Sequence, residues 1–378
     1  MGGKRAYELG AACSRLSSGK NLASSRISNE GGRYPVYGAN GLRGYTEQKN
    51  FEGECALIGR QGAACGNVRY FRGEAWITEH AVIAQASQDN NTRYLAYLLS
   101  TMNLGRLSGQ SAQPGLSVKT LAKQEILLPP LSEQLKVAEV LSSLDKKIEL
   151  NACTNGCLEE MAEAAYKKML CEDASYEKLT DIVEILSGGT PSTKIEKYWE
   201  EGEIPFFTPS DAGDSVYVLN TGKHITQAGL KNCNSSLFPT DTVFLTARGT
   251  VGKVTLAGRP MAMNQSCFAF AGKNISQPCV YFIIKSAVRS LQAKANGATF
   301  SAINTRDLKI EEVLLPNEEN LNDFSIWVDS LFNQMLINSK ESLGLAALRD
   351  ALLPKLMSGE IDVSEVDITQ PNSRLCEC

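Results

Sequence analysis

The sequence predicts an α+β fold: two repeated mixed modules separated by two long antiparallel, coiled-coil-like helices. Three observations predict it. An internal duplication returns at a spacing of 187 residues. Each copy runs through the same order of strand, turn and helix signals, and each is followed by a long apolar stripe of near-heptad spacing. The 378 residues suffice for about two domains at roughly 100–200 residues each.

The duplication is read directly from the residues. ECALIGRQGAACGNV from Glu54 faces DTVFLTARGTVGKV from Asp241, with Gly62 opposite Gly249. Cys65 is an extra residue, so ITEHAVIA from Ile77 faces MNQSCFAF from Met263 after a one-residue slip. The original spacing then returns, pairing YLAYLLS from Tyr94 with YFIIKSA from Tyr281 and LAKQEILLPP from Leu121 with LKIEEVLLPN from Leu308. A period near half the chain length means two copies of one module and not a solenoid.

Within each copy the elements follow one order. A Gly/Ser/Thr-rich loop and an extended segment come first. ALIG and VFLTA then have the short apolar character of buried strands, and each enters a glycine turn. An amphipathic helix over Tyr94–Leu99 and its counterpart follow, then a polar glycine loop. EILLPP and EVLLPN are strands that stop at proline.

Beyond each proline the period becomes helical. In the first copy the stripe is Leu131, Leu135, Ala138, Leu141, Leu144 and Ile148, with an interruption over Asn151–Gly156 and resumption at Leu158, Met161, Ala165 and Met169. In the second it is Leu321, Phe324, Trp327, Leu331 and Met335, then Leu345, Leu348, Leu352 and Leu356, ending at Ser358-Gly359. Such stripes need burial, and each is the other's natural partner. The expected division is residues 1–130, a central helix over 131–173, residues 174–316, a C-terminal helix over 317–359, and a flexible tail over 360–378. A break near Asn155 is expected to shorten the central rod, whose ~40 residues would otherwise reach ~60 Å.

Composition narrows the function classes. The net charge is −4, but residues 1–130 hold 15 basic against 9 acidic side chains, while 317–378 hold 4 against 11. The first module is therefore basic, and the acidity sits in the helical segments. No apolar run approaches the ~20 residues of a membrane helix, and MGGKRAYELG has no signal core. The expected location is cytoplasmic, without a membrane partner. Eleven cysteines are scattered singly, the closest being Cys153 with Cys157 and Cys376 with Cys378, so reduced thiols are expected and no metal site.

Catalytic machinery is not expected either. His80 and His224 have no repeated partner, so no nucleophile–histidine–acid set is marked. GTVGKV at Gly249 lacks the spacing of a phosphate loop. The chain also has no Asp/Asn-Pro-Pro-Tyr/Phe signature of an amino-methyltransferase.

What the loops do carry is basic and amide side chains beside glycine turns, the residue types that contact phosphates and base edges. In the first module the candidate DNA-binding residues are Lys20, Tyr37, Asn40, Arg43, Arg60, Gln61, Gln110 and Ser111. In the second module the counterparts are Thr190, Ser192 and Lys194, then Thr208 and Ser210, then Arg248, Thr250 and Lys253 flanking the matching glycine turn, and finally Asn296 and Thr299. Arg60 and Arg248 stand out because each adjoins the repeated turn. Asn264 and Gln265 have a second reading, as buried groups that support that turn. For every one of these positions a merely solvated polar loop is the competing reading.

The whole chain resembles the specificity subunit of type I restriction–modification systems. The resemblance is carried by YPVYGANGLRGY at Tyr34, LPPLSEQLKVAEVLSSLDKKIELN at Leu128, SGGTPSTKIEKYW at Ser187, IPFFTPSD at Ile204 and LRDALLPKLMSGEI at Leu348, in that order. It implies that each module is a target-recognition domain reading one half of a bipartite, asymmetric site in double-stranded DNA. The helices would set the unread spacer and dock two modification (methyltransferase) subunits, with restriction (ATP-dependent translocase/nuclease) subunits joining the assembly. The chain itself would be non-catalytic and bind no cofactor; S-adenosylmethionine, ATP and Mg would sit on the partners. The first module starts almost at residue 1, and a trimmed start would affect its folding or specificity. Three alternatives stay open: a methylation-only or phase-variable system, a scaffold that reads no sequence, and a self-contained enzyme with a divergent site.

Overall fold

The structure is a computed structural model describing residues 3–29, 31–108, 115–172, 174–294, 302–363 and 365–366. The chain forms two compact units, Met1–Lys146 with Ala346–Cys378, and Lys147–Leu345. Each unit therefore holds one repeated module together with a stretch of both long helices.

The first module runs β1 (Arg5–Glu8), α1 (Leu9–Ala12), β2 (Cys13–Ser18), β3 (Tyr34–Gly38), β4 (Gly41–Thr46), β5 (Phe51–Gly59), β6 (Val68–Ile77), β7 (Ala81–Ala86), α2 (Thr92–Ser100), α3 (Val118–Ala122) and β8 (Glu125–Leu128). Its main sheet has six strands in the order β2-β7-β5-β6-β3-β4. The apolar runs Cys55–Gly59 and Ala81–Ala84 are buried on both faces, which places them at the sheet centre. Asn91 caps α2 by accepting from Tyr94 N at 2.8 Å, and Tyr94, Leu95 and Leu99 then face the core beside Ile58 and Val82. EILL does not join this sheet. It pairs with β1 as a separate two-stranded antiparallel ribbon.

The second module repeats the plan with β9 (Ala174–Lys178), α5 (Leu179–Ile182), β10 (Val183–Ser187), β11 (Ile204–Phe207), β12 (Tyr217–Val218), β13 (His224–Ile225), α6 (Gln227–Lys231), β14 (Val243–Thr246), β15 (Val254–Ala257), β16 (Ala262–Met263), β17 (Cys267–Gly272), α7 (Gln277–Lys294), α8 (Thr305–Ile310) and β18 (Glu312–Pro316). The central helix α4 (Leu131–Glu172) precedes it, and α9 (Glu318–Ser358) follows. The sheet order β10-β17-β14-β15-β12 matches the first module at its first four strands. The long β6 is here divided into β15 and β16, and β16 carries β11 and β13 away in a three-stranded sheet. Register shows the correspondence: Val36–Trp76 and Tyr37–Ile77 are parallel pairs, as are Phe206–Ala262 and Phe207–Met263.

The two long helices pack against each other antiparallel. In the first unit Val137, Ala138 and Leu141 of α4 share a core with Leu356 and Met357 of α9. In the second, Ala162 and Tyr166 meet Leu321, Phe324, Val328, Phe332 and Met335. The seam is offset from the expected one: Leu131, Leu135, Trp327 and Leu348 face outward, and Val137 and Val328 lie inside. Gln134 is buried at the start of α4 and fully bonded, donating to Asn90 Oδ1 at 2.8 Å and Pro129 O at 2.9 Å and accepting from Asn91 N at 2.9 Å.

The expected break near Asn155 is not there; α4 is continuous from Leu131 to Glu172. The apolar period lapses because the seam is polar at this level. Asn151 Nδ2 donates to Glu341 Oε2 (2.8 Å), Ser342 Oγ (3.2 Å) and Asn338 O (3.3 Å). Asn338 Nδ2 donates to Asn155 Oδ1 at 2.9 Å, and Asn155 Nδ2 donates to Met335 O and Ser339 Oγ, both at 3.1 Å. A second polar group ties α4 to α7: Lys285 Nζ reaches Glu159 at 2.7 Å and Glu163 at 2.8 Å, and Arg289 reaches Glu163 at 2.7 Å.

Helix α9 ends where Gly359 takes φ +83°, and Lys4 Nζ donates to the terminal carbonyls of Met357 (2.7 Å) and Ser358 (2.8 Å). The start of the segment expected to be a flexible tail is packed: Val363 is buried in the first unit's core, with Ile361 and Val366 against it. Its remainder, Ser364 and residues 367–378, lies outside the described residues.

Candidate nucleic-acid interface

One end of the first module's sheet gathers four loops: Gly19-Lys20 after β2, Ala39-Asn40 after β3, Arg60–Gly66 after β5, and Thr78–His80 before β7. Backbone hydrogen bonds lock them together. Lys20 N donates to Ile77 O (3.0 Å), Thr78 N to Tyr37 O (2.9 Å), and Arg60 N to His80 O (2.9 Å), while Leu116 N donates to Arg60 O (2.9 Å).

The second module makes the same four bonds. Gly189 N donates to Met263 O (3.1 Å), Asn264 N to Phe207 O (2.9 Å), Ala247 N to Ser266 O (2.8 Å) and Ile303 N to Ala247 O (2.9 Å). Glycine is required at the first loop in both copies. A Cβ at Gly19 would stand 2.2 Å from Ile77 O, and one at Gly188 would stand 2.4 Å from Met263 O and from Asn264 O. The turn after the central strand also repeats, with left-handed glycines at Gly62 and Gly66 (φ +71° and +86°) and at Gly249 and Gly252 (φ +80° and +91°). The first turn is one residue longer, as the extra Cys65 requires.

This shared frame corrects several pairings. The equivalent of Lys20 is Gly189, not Thr190, Ser192 or Lys194. Arg60 corresponds to the buried Ala247, so the two arginines beside the turns are not counterparts. Arg248 instead corresponds to Gln61: Gln61 bridges Gly115, and Arg248 bridges Ala302. Arg60 is half-buried and spends its guanidinium on backbone, donating from Nε to Leu116 O at 3.2 Å and from Nη1 to Glu79 O at 3.4 Å. Gln61 and Arg248 are exposed.

Among the other candidates, Lys20, Asn40 and Arg43 are exposed at the first module's loop end, with the Arg43 stem over Gly38. Tyr37 is half-buried against Phe71, ring centroids 4.9 Å apart. Burial raises its hydroxyl pKa, nearby Tyr45 adds to the rise, and Arg69 opposes it.

In the second module Thr208, Ser210 and Thr250 meet: Thr208 Oγ1 lies 2.8 Å from Ser210 Oγ and donates to Asp211 Oδ2 at 2.6 Å, while Thr250 Oγ1 donates to Pro209 O at 3.0 Å. Thr190 donates to Gln265, which is exposed and therefore not the buried support expected. Asn264 is half-buried, and its Oδ1 accepts from Ser266 N at 3.0 Å, a bond within its own loop and not to the glycine turn. Lys253 is drawn away into an ion pair with Asp214 at 2.6 Å, which lowers the Asp214 pKa. Ser192 and Lys194 are exposed on a separate loop beside Trp199, whose Nε1 donates to Ser192 O at 3.1 Å. Gln110, Ser111, Asn296 and Thr299 lie outside the described residues.

Two residues escaped sequence reasoning. A Cβ at Gly41 (φ +102°) would stand 3.1 Å from Arg69 Nη1, so this guanidinium overhangs the β3–β4 turn. It comes from 28 positions further along, and no local pattern announces it. His80 is the other: its Nδ1 lies 2.7 Å from Gln61 Oε1. Among the described residues no three His, Cys, Asp or Glu side chains gather to hold a metal, and no helix is long and apolar enough to cross a membrane.

A family model described as the type I restriction modification DNA specificity domain matches residues 10–160 and 172–341. The chain belongs to that family. The first matched stretch covers the first module from residue 10 onward and the second contains the second module, so this specificity-domain protein carries the family unit twice. It is 41% identical over 112 residues to the type I restriction enzyme EcoprrI specificity subunit of Escherichia coli, covering 30% of this chain and 28% of the relative. It is 31% identical over 175 residues to the type I restriction enzyme MjaIX specificity subunit of Methanocaldococcus jannaschii, covering 45% and 40% respectively. The chain thus spans well under half of these two relatives' length. The fold of a solved type I restriction–modification S subunit from M. genitalium matches with a TM-score of 0.60 at 17% identity, over 93% of this chain and 96% of that one.

Proposed function

We propose that this chain is the non-catalytic, sequence-reading subunit of a type I restriction–modification assembly, each module reading one half of a bipartite site in double-stranded DNA. The observation that carries this is the repeated loop end. The same backbone bonds frame it in both copies, yet the side chains offered at equivalent positions differ, Gln61 against Arg248. A fixed frame with variable amide and guanidinium tips suits base-edge readout of two different half-sites. Lys20, Arg43 and Arg69 around the first loop end suit phosphate contact.

Two modification subunits are the proposed partners of the helix pair, with restriction subunits joining them. What supports docking there is the outward row of large apolar side chains: Leu131, Leu135 and Leu348 in the first unit, and Ile326, Trp327 and Ile337 in the second. S-adenosylmethionine, ATP and Mg are assigned to those partners, and the assembly to the cytoplasm.

The test is genome-wide mapping of adenine methylation in cells expressing the chain with its cognate modification subunits. The expected result is a new motif of two short specified parts around a fixed gap, lost when only this chain is deleted. Methylation that persists unchanged without the chain, or an assembled complex that yields no motif, would overturn the reading.

A further inference from the structure

We propose that His80 is a positioning residue that fixes which amide atoms Gln61 presents to a base edge in the first half of the target. The proposal rests on the function proposed above. Gln61 is held at its backbone by the bridge to Gly115, and the chain turns away immediately at left-handed Gly62. Its side chain projects from the loop end with Oε1 2.7 Å from His80 Nδ1. An amide oxygen only accepts, so in this arrangement Nδ1–H donates to it. The Gln61 Nε2 group, with two hydrogens to give, is thereby turned away from the ring.

The imidazole is itself held. Its Nε2 lies 3.3 Å from Glu79 Oε1, a contact that holds the ring beside a donating Nδ1–H when both ring nitrogens carry hydrogen; the His80 carbonyl accepts from Arg60 N at 2.9 Å, and Arg60 Nη1 donates to Glu79 O at 3.4 Å. A free glutamine can flip its amide and offer the opposite donor–acceptor order. One anchored through Oε1 keeps a lone pair and the Nε2 donors in a set order, the pattern that pairs with adenine N6 and N7 in the major groove. Ordering the side chain before binding also reduces the entropy lost on contact.

The second module has no such device, and its chemistry needs none. The equivalents of Gln61 and His80 are Arg248 and Ser266, and a guanidinium donates from every nitrogen, so it cannot present the wrong polarity. His80 thus accompanies an ambiguous reader and is replaced where the reader is unambiguous.

The experiment compares methylation motifs written by the full assembly containing the wild-type chain, Gln61→Ala, His80→Ala, the double variant and His80→Asn. Gln61→Ala is expected to relax one base position in one half-site, lowering discrimination there on the order of 10- to 100-fold. His80→Ala is expected to relax the same position in part, and the double variant to be no worse than Gln61→Ala. His80→Asn, whose amide both donates and accepts and so holds Gln61 in either orientation, is expected to leave that position relaxed, whereas a merely structural role for the contact would be rescued by it. The unchanged other half-site reports that each variant folds and assembles. An unaltered motif in His80→Ala, relaxation at a different position, or losses that add in the double variant would overturn the proposal. A wild-type chain that directs no bipartite methylation at all would instead overturn the functional reading beneath it.

Discussion

Asn338 is the residue whose removal tests most directly how the helix pair holds its register. It is 7% exposed, gives a hydrogen bond to Asn155 Oδ1 at 2.9 Å and takes one from Gln334 Nε2 at 2.8 Å. Asn338→Ala removes both, each worth about 1 kcal/mol net, and strands Asn155 Oδ1 in the seam at a further cost of about 1–3 kcal/mol. Water reaching the edge of the half-buried Asn155 reduces that last figure, so a loss of about 2–4 kcal/mol in the unit 147–345 is expected. For a unit of this size that is a fall of about 2–4 °C in Tm per kcal/mol. The assay is urea denaturation of the full chain, with Asn155→Ala and the double variant completing a cycle. Each single variant strands the other's group and the double strands neither of them, so the losses should fall short of additive by about 1–2 kcal/mol. Additivity within about 0.3 kcal/mol would refute the reasoning and reduce the contact to a packing coincidence.

Two other outcomes follow from the same structure. Gly188→Ala would set a Cβ 2.4 Å from two carbonyl oxygens and force the second loop end apart, at a cost of about 1–3 kcal/mol; methylation mapping should show the second half-site degraded, whereas Gly213→Ala, with open space around it, should leave it intact. Glu163 sits at about 2 although burial pushes its carboxyl upward, because Lys167, Lys285 and Arg289 hydrogen-bond its charged form. A folded pKa below the ordinary 4.5 gives stabilisation that is complete above that value and lost as pH falls toward 2. Glu163→Gln should therefore flatten the acid limb of a stability-versus-pH curve between those values; an acid limb as steep as the wild type's would count against the pairing.

The duplication and both long helices were legible in the sequence because backbone-imposed patterns survive where side chains drift. Glycine at 62 and 249 marks a left-handed turn, and proline after EILL and EVLL marks a strand's end. What failed was inference from one helix about its partner. The lapse over Asn151–Gly156 looks like a break when read alone. Only the opposite helix supplies Asn338, Ser339 and Ser342, which make those polar residues part of the seam. The outward-facing Leu131 and Leu135 misled for a related reason, since an apolar stripe left exposed has the same spacing as one that serves the core. The paired arginines beside the turns show a third limit. Both adjoin the repeated glycine, but the 187-residue spacing sets Arg60 opposite Ala247, and proximity to a motif is weaker evidence than register.

The loop ends explain how one module can be copied and then present different side chains. Every cross-loop bond that the two frames share is made by backbone atoms, and the glycines at 19 and 188 are fixed by carbonyl oxygens. None of these constraints refers to the side chains at 61 and 248, at 78 and 264, or at 80 and 266. Substitution at those tips therefore leaves the frame's hydrogen bonds intact, and the larger departures fall where they are tolerated. The chain between the strands that begin at Tyr34 and Ile204 and their antiparallel partners is longer in the second copy, and there it adds a strand at Tyr217–Val218 on the sheet edge. Under the function proposed above, a scaffold indifferent to the residues at its tips lets specificity change by point substitution without refolding. That indifference carries a cost for any tip with two orientations, which must recruit its own support, and the histidine beside Gln61 is placed to supply it.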